Sequence, residues 1–137
     1  MIRGYKDSDY EQLKELHQHT EWYGGVFDEA RDGRERLAKK IIQDPEAILV
    51  YETNGVLSGT ISIIEDGRVA WLYRFIVKDF DLTITQELYN KALNTLKDRG
   101  HTQVLVYSEP NNTDLDNRYQ TLGMAKGGDY TCYWKDI

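Results

Sequence analysis

The chain has 137 residues, of which 40% are apolar, with a single cysteine and a net charge of −6. That length matches one average domain, 1-137, able to bury a core without disulfides or a structural metal. The acidic balance disfavours nucleic acid and anionic membrane surfaces as partners, and the lone Cys132 excludes an intramolecular disulfide framework and a multi-thiolate zinc site.

In chain order, a short strand opens the sequence, and Ser8 with Glu11 three residues on forms a capping-box pattern. Tyr10, Leu13 and Leu16 then recur at helical spacing, which predicts a first helix over 9–17. Residues 17–27, with Trp22-Tyr23-Gly24-Gly25, read as a loop or broken helix. A second helix over 32–43 places Leu37, Ala38, Ile41 and Ile42 on one face and stops at Asp44-Pro45, since the residue before proline is pushed out of the helical region. Residues 47–53 and 56–65 read as strands joined by the hairpin signal Asn54-Gly55, and Asp66-Gly67 repeats the device before a third strand over 68–77. Thr83 and Gln86 form a second capping-box pattern, ahead of a long helix with Ile84, Leu88, Ala92, Leu93 and Leu96 on one face and Gly100 at its left-handed end. Residues 102–108 are a β-branched run, predicted as a buried strand parallel to the one before the helix. Leu115, Tyr119 and Leu122 share a face of a last short helix ended by Gly123, and residues 130–134 alternate as a terminal strand.

With one further strand near Met124, this order predicts an α+β fold: a mixed central sheet of six or seven strands, an antiparallel N-terminal meander followed by a β-α-β unit, and about four helices. Several chemistries lack their motifs. Neither Gly-x-Gly-x-x-Gly, nor the Walker phosphate loop, nor the Gly-x-Ser-x-Gly nucleophile elbow occurs. His17 and His19, two apart, do not share a helix face as a metal pair would, so no metal is expected; they read as surface or cleft-lining residues, His101 as a solvated turn residue, and Cys132 as a small buried hydrophobe. No apolar run reaches about 18 residues and the first residues lack the apolar stretch of a signal peptide, which makes cytoplasmic the expected location.

Three places carry a family resemblance: the opening Ile2-Arg3…Asp9…Leu13…Leu16, the strand end Phe75-Ile76-Val77, and Asn112-x6-Tyr119-x3-Gly123-Met124. In these the chain resembles the GNAT superfamily of acetyl-CoA-dependent N-acetyltransferases, the last run being similar to its asparagine and Tyr-x-x-Leu-Gly-Phe signature. The resemblance covers nearly the whole chain as an order of elements. It implies a pair of parallel strands that splay apart, letting the pantetheine arm of acetyl-CoA pair with Phe75, Ile76 and Val77 like an added strand. It also implies a pyrophosphate at the start of the long helix, held by Leu82, Thr83, Ile84 and Thr85, with Asn112 and Tyr119 in the same cofactor set. Tyr119 would protonate the leaving CoA thiolate, and Glu109 would deprotonate the amine through water. Trp22, Tyr23 and Arg74 would meet the acceptor.

Each residue also has a plainer reading: Tyr119 as a core aromatic, Glu109 as an exposed carboxylate, Arg74 as a partner of a carboxylate, and Trp22 and Tyr23 as packing against the sheet. The pyrophosphate loop is atypical, since Thr83 and Thr85 stand where the family pattern has glycine, and Asp79 and Asp81 add negative charge opposed only by Lys78. The function expected is transfer of an acetyl group from acetyl-CoA to a small-molecule or peptide amine by direct attack. The alternative is a binding or regulatory domain of the same fold with weakened or lost acetyl-CoA binding, and a third reading is an α+β interaction domain whose likeness is architectural only. Tyr130, Tyr133 and Trp134 offer a pairing edge compatible with a homodimer.

Overall fold

The computed structural model describes residues 1–18 and 27–137. The hairpin signals close as their chemistry dictates. Asn54 and Gly55 both take positive φ, 51° and 80°, the turn whose twist matches the flanking strands β2 (Ile48–Thr53) and β3 (Val56–Glu65). The Asp66 carboxylate accepts the Arg68 and Val69 amides, turning the chain into β4 (Ala70–Val77). With β1 (Ile2–Gly4) they form one antiparallel sheet in the order β1-β2-β3-β4. Four helices have nine or more residues: α1 (Tyr10–Gln18), α3 (Arg34–Gln43), α4 (Leu82–Asp98) and α5 (Thr113–Thr121). A single turn, α2 (Glu29–Asp32), precedes Gly33 and α3. Leu13 of α1 and Leu88 and Ala92 of α4 are fully buried with Leu49, Val50, Ile61 and Val77 of the sheet. Among the described residues no helix is long and apolar enough to cross a membrane. The chain falls into two compact units, Met1–Tyr107 and Ser108–Ile137.

The fold is α+β as expected, but the expectation of six or seven strands is corrected: the described residues form a four-stranded, wholly antiparallel sheet. The run 102–108 contributes one parallel bridge, Trp71 to Leu105, made by Leu72 N–H to the Leu105 carbonyl and Leu105 N–H to the Ala70 carbonyl, each 2.9 Å. Among the described residues this run makes no further bridge to β4. Residues 130–134 form no strand, because alternation is only a propensity and no ladder partner exists for them among the described residues. Tyr130, Tyr133, Trp134 and Cys132 are exposed, which also corrects Cys132 as a buried hydrophobe.

Both predicted capping boxes are replaced by aspartates. A short 3-10 turn, Asp7–Asp9, precedes α1, and in place of the predicted Ser8–Glu11 pair the Asp9 carboxylate accepts the Lys6 amide at 2.8 Å. At α4 the Asp81 carboxylate accepts Ile84 N–H at 3.0 Å, while Gln86 reaches forward to Asn90 instead of back to the cap. The predicted second helix is broken at Gly33, whose extended conformation separates α2 from α3, and Ile42 of its predicted apolar face is exposed. His101 is not a solvated turn residue, since its Nε2 lies 2.6 Å from the Glu65 carboxylate and its side chain is buried.

Candidate active site

The first unit is organised around a break in β4. Thr60 faces Ile76 and Ser62 faces Tyr73, so Ile61 alone opposes both Arg74 and Phe75. This is a bulge, which bends a strand and sharpens its twist. Arg74 adopts φ 48°, a left-handed conformation that side chains disfavour. Its guanidinium donates through Nε to Asp32 Oδ1 at 3.1 Å and through Nη2 to Oδ2 at 2.7 Å, with both side chains about 95% removed from solvent (5% and 4% exposed). The Tyr73 ring lies 4.8 Å from the guanidinium carbon. Asp32 is itself held, because the Asp28 amide donates to Oδ2 at 2.9 Å and the Asp28 carboxylate caps α2.

His17 belongs to the same neighbourhood. It is 7% exposed, and neither ring nitrogen has a hydrogen-bond partner among the described residues. Burial pushes its imidazole down to about 4; the Arg74 charge adds to this and Asp32 opposes it. The ring is therefore neutral at neutral pH.

Beyond the bulge the side chains of Phe75, Ile76 and Val77 are buried, so only their backbone can meet a ligand. A 3-10 turn, Lys78–Phe80, follows, in which Asp79 and Phe80 take positive φ (55° and 53°) and swing the chain into α4. Asp81 takes the Ile84 amide on its carboxylate and the Thr85 amide on its carbonyl, leaving the Leu82 and Thr83 amides without an acceptor among the described residues. The Thr85 hydroxyl is committed to the Asp81 carbonyl at 2.7 Å, whereas Thr83 is exposed, Leu82 exposed and Ile84 half-buried. The helix packs closely on β3 at Gly59, where an added Cβ would lie 2.9 Å from Leu88 Cδ1, 3.2 Å from Ile84 Cγ2 and 3.3 Å from the Ile76 carbonyl.

The second unit carries Glu109, Asn112 and Tyr119. Glu109 is exposed, Asn112 caps α5 by accepting the Leu115 amide at 3.1 Å, and Tyr119 is half-buried on α5. Burial raises the Tyr119 phenol above its ordinary value and the neighbouring Arg118, whose guanidinium carbon lies 5.7 Å from the ring, opposes the shift. Trp22 and Tyr23 lie outside the described residues. Among the described residues no group of three or more His, Cys, Asp or Glu side chains could hold a metal ion.

Of the residues singled out from sequence, the structure brings together Phe75, Ile76, Val77, Leu82, Thr83, Ile84 and Thr85 in one stretch at the end of β4 and the start of α4. Arg74 is locked to a carboxylate. Asp32, Asp81 as a cap and buried His17 were not legible as parts of this region. Asp32 fell at the start of the predicted second helix with no role assigned to it, and nothing local links it to a residue 42 positions away.

The sheet, the bulged β4 and the helix that follows it define a fold class, that of the GNAT-type N-acetyltransferases. The chain has this fold: it superposes on PaiA N-acetyltransferase from Thermoplasma acidophilum in complex with coenzyme A (TM-score 0.74, 20% identity, 88% of this chain and 86% of that one). It likewise matches AAC(6′)-Iy in complex with the bisubstrate analogue CoA-S-monomethyl-acetylneamine (0.77, 17%, 100% and 98%). A third match is glucosamine-6-phosphate N-acetyltransferase from Arabidopsis thaliana (0.71, 19%, 99% and 98%). No family model and no curated protein matches the chain in sequence.

Proposed function

We propose that the chain is an acetyl-CoA-dependent N-acetyltransferase acting as one domain, and that it moves an acetyl group to a small-molecule or peptide amine by direct attack. The observation that carries the reading is that, among the described residues, the 102–107 segment bridges β4 only at Leu105, and that the Leu82 and Thr83 amides at the start of α4 have no acceptor. The Phe75–Val77 backbone is suited to pair with an extended pantetheine arm, and the Leu82 and Thr83 amides to meet the pyrophosphate. The likeness to enzymes solved with coenzyme A or a CoA-linked analogue supports this assignment. The matched enzymes act on different acceptors, and the acceptor here is an amine of unspecified structure.

In the proposed reaction the amine nitrogen bonds to the acetyl carbonyl carbon, the C–S bond breaks, and Tyr119 donates its proton to the departing thiolate. A phenol is protonated at neutral pH, as an acid requires, and burial shifts Tyr119 further in that direction. Glu109 acts through water as the base for the amine. Trp22 and Tyr23 are assigned to the acceptor side and Asn112 to the cofactor side, while Arg74 is committed to Asp32 with its side chain buried.

Calorimetric titration with CoA and acetyl-CoA, followed by an assay of acetyl transfer to a panel of amines, tests this. Binding together with turnover is expected. A second reading, a domain of this fold with weakened or lost cofactor binding, is favoured by one feature: the Asp81 carboxylate occupies the helix start that the pyrophosphate would use. Absence of any thermal stabilisation at millimolar CoA would select it.

A further inference from the structure

Arg74 presents a local conflict. Left-handed backbone in the middle of a strand is ordinary for glycine and costly for a side chain, so the surrounding structure must hold it there. Among the described residues α2 reaches over this residue through Asp32, which accepts two hydrogen bonds from its guanidinium. The pair is bidentate and nearly dry, and Asp32 is anchored by the Asp28 amide. Either charge without the other would be left in a low-dielectric site, so the two are coupled tightly to one geometry. That geometry has a consequence along the strand. Before the bulge β4 bonds to Leu105 on one side and to β3 on the other; beyond it, no other strand among the described residues runs alongside its outer edge.

We propose that the Asp32–Arg74 ion pair is a clamp that holds residue 74 in its left-handed conformation and thereby directs the Phe75–Val77 edge away from the 102–107 segment. Asp32 and Arg74 are positioning residues. Their effect on acetyl-CoA rests on the function proposed above; their effect on the strand does not. The clamp makes α2, an element 42 residues upstream in sequence, the determinant of where the cofactor edge points.

The test uses two double variants of the full chain that both remove the buried charges. In Asp32→Ala/Arg74→Gly, glycine adopts the left-handed conformation without a clamp; in Asp32→Ala/Arg74→Ala, the clamp is gone and the strain remains. Crystal structures report φ at position 74, calorimetry reports the CoA dissociation constant, and urea denaturation reports the midpoint. The glycine variant is expected to keep the bulge and to bind CoA within about threefold of the parent, whereas the alanine variant flattens the bulge and loses at least about tenfold in affinity. Failure of only the alanine variant to fold supports the clamp, since the two differ at position 74 alone. The clamp is overturned if residue 74 stays left-handed in the alanine variant, if both variants bind CoA equally, or if neither folds. Should the parent itself bind no CoA, the acetyltransferase reading fails, and the conformation of residue 74 in the two variants still decides the clamp.

Discussion

His17 yields a quantitative prediction about acid stability. Its imidazole sits at about 4 in the folded chain against an ordinary value of 6.5, chiefly because burial opposes the charge. The folded value is the lower one, so between these limits the unfolded chain takes up a proton that the folded chain refuses. The stability tied to His17 is therefore complete above about pH 6.5 and is lost as pH falls toward about 4. With 1.36 kcal/mol per unit of difference, the loss is about 2 kcal/mol at pH 5 and about 3 kcal/mol at pH 4. Carboxylates such as Asp44 and Asp66, held below their usual range by Arg99 and Arg68, lose their own contributions at still lower pH. The measurement must separate them. Urea denaturation of the parent and of His17→Leu at pH 7, 5 and 4 does so, because the difference between the two curves contains only the histidine. Leucine keeps an apolar volume where both ring nitrogens lack partners among the described residues, so the variant is expected to fold. A constant difference between parent and variant across this pH range would refute the reasoning.

Four further outcomes follow from named contacts. Tyr119→Phe is expected to lower turnover by more than about tenfold while stability changes by less than about 1 kcal/mol; unchanged turnover removes Tyr119 from the mechanism. Asp81→Asn keeps a cap for the Ile84 amide and deletes a negative charge from the proposed pyrophosphate site, so CoA should bind about fivefold tighter at low salt, corresponding to about 1 kcal/mol. Equal or weaker binding places the phosphates elsewhere. Asp32→Ala takes the carboxylate from buried Arg74 and should cost about 3–5 kcal/mol in urea unfolding, whereas Arg34→Ala, which removes only an exposed pair with Asp7, should leave the urea midpoint close to that of the parent. Gly59→Ala should destabilise by about 1–3 kcal/mol, because its Cβ would press on Leu88, Ile84 and the Ile76 carbonyl; an unchanged midpoint would show that α4 shifts freely.

What was legible in the sequence followed the range of the interaction. Asn54-Gly55 closes its hairpin because the turn needs only residues that accept positive φ, and both sit next to each other in the chain. Helix starts were placed within a few residues but given the wrong caps. Ser8 and Asp9, or Asp81 and Thr83, are chemically interchangeable as local acceptors, and only the three-dimensional course of the backbone selects one. The strand end Phe75-Ile76-Val77 was singled out through the family resemblance. The Asp32 partner of Arg74 was not, nor was the Glu65 partner of His101, since these contacts join residues 42 and 36 positions apart. The run 130–134 shows the opposite case, a good local strand pattern that remains unrealised without a ladder partner among the described residues.

By itself the sequence determined the turns, the helical and strand periodicities and the α+β class, because those rest on steric limits and side-chain spacing within a few residues. The tertiary structure alone decided that β4 carries a bulge at Arg74, that Asp32 locks it, that His17 is buried neutral, and that Asp81 sits over the start of α4. Those features depend on which distant groups lose their water together. Once desolvated, a charge or a backbone amide must find its partner wherever the packed chain has brought one.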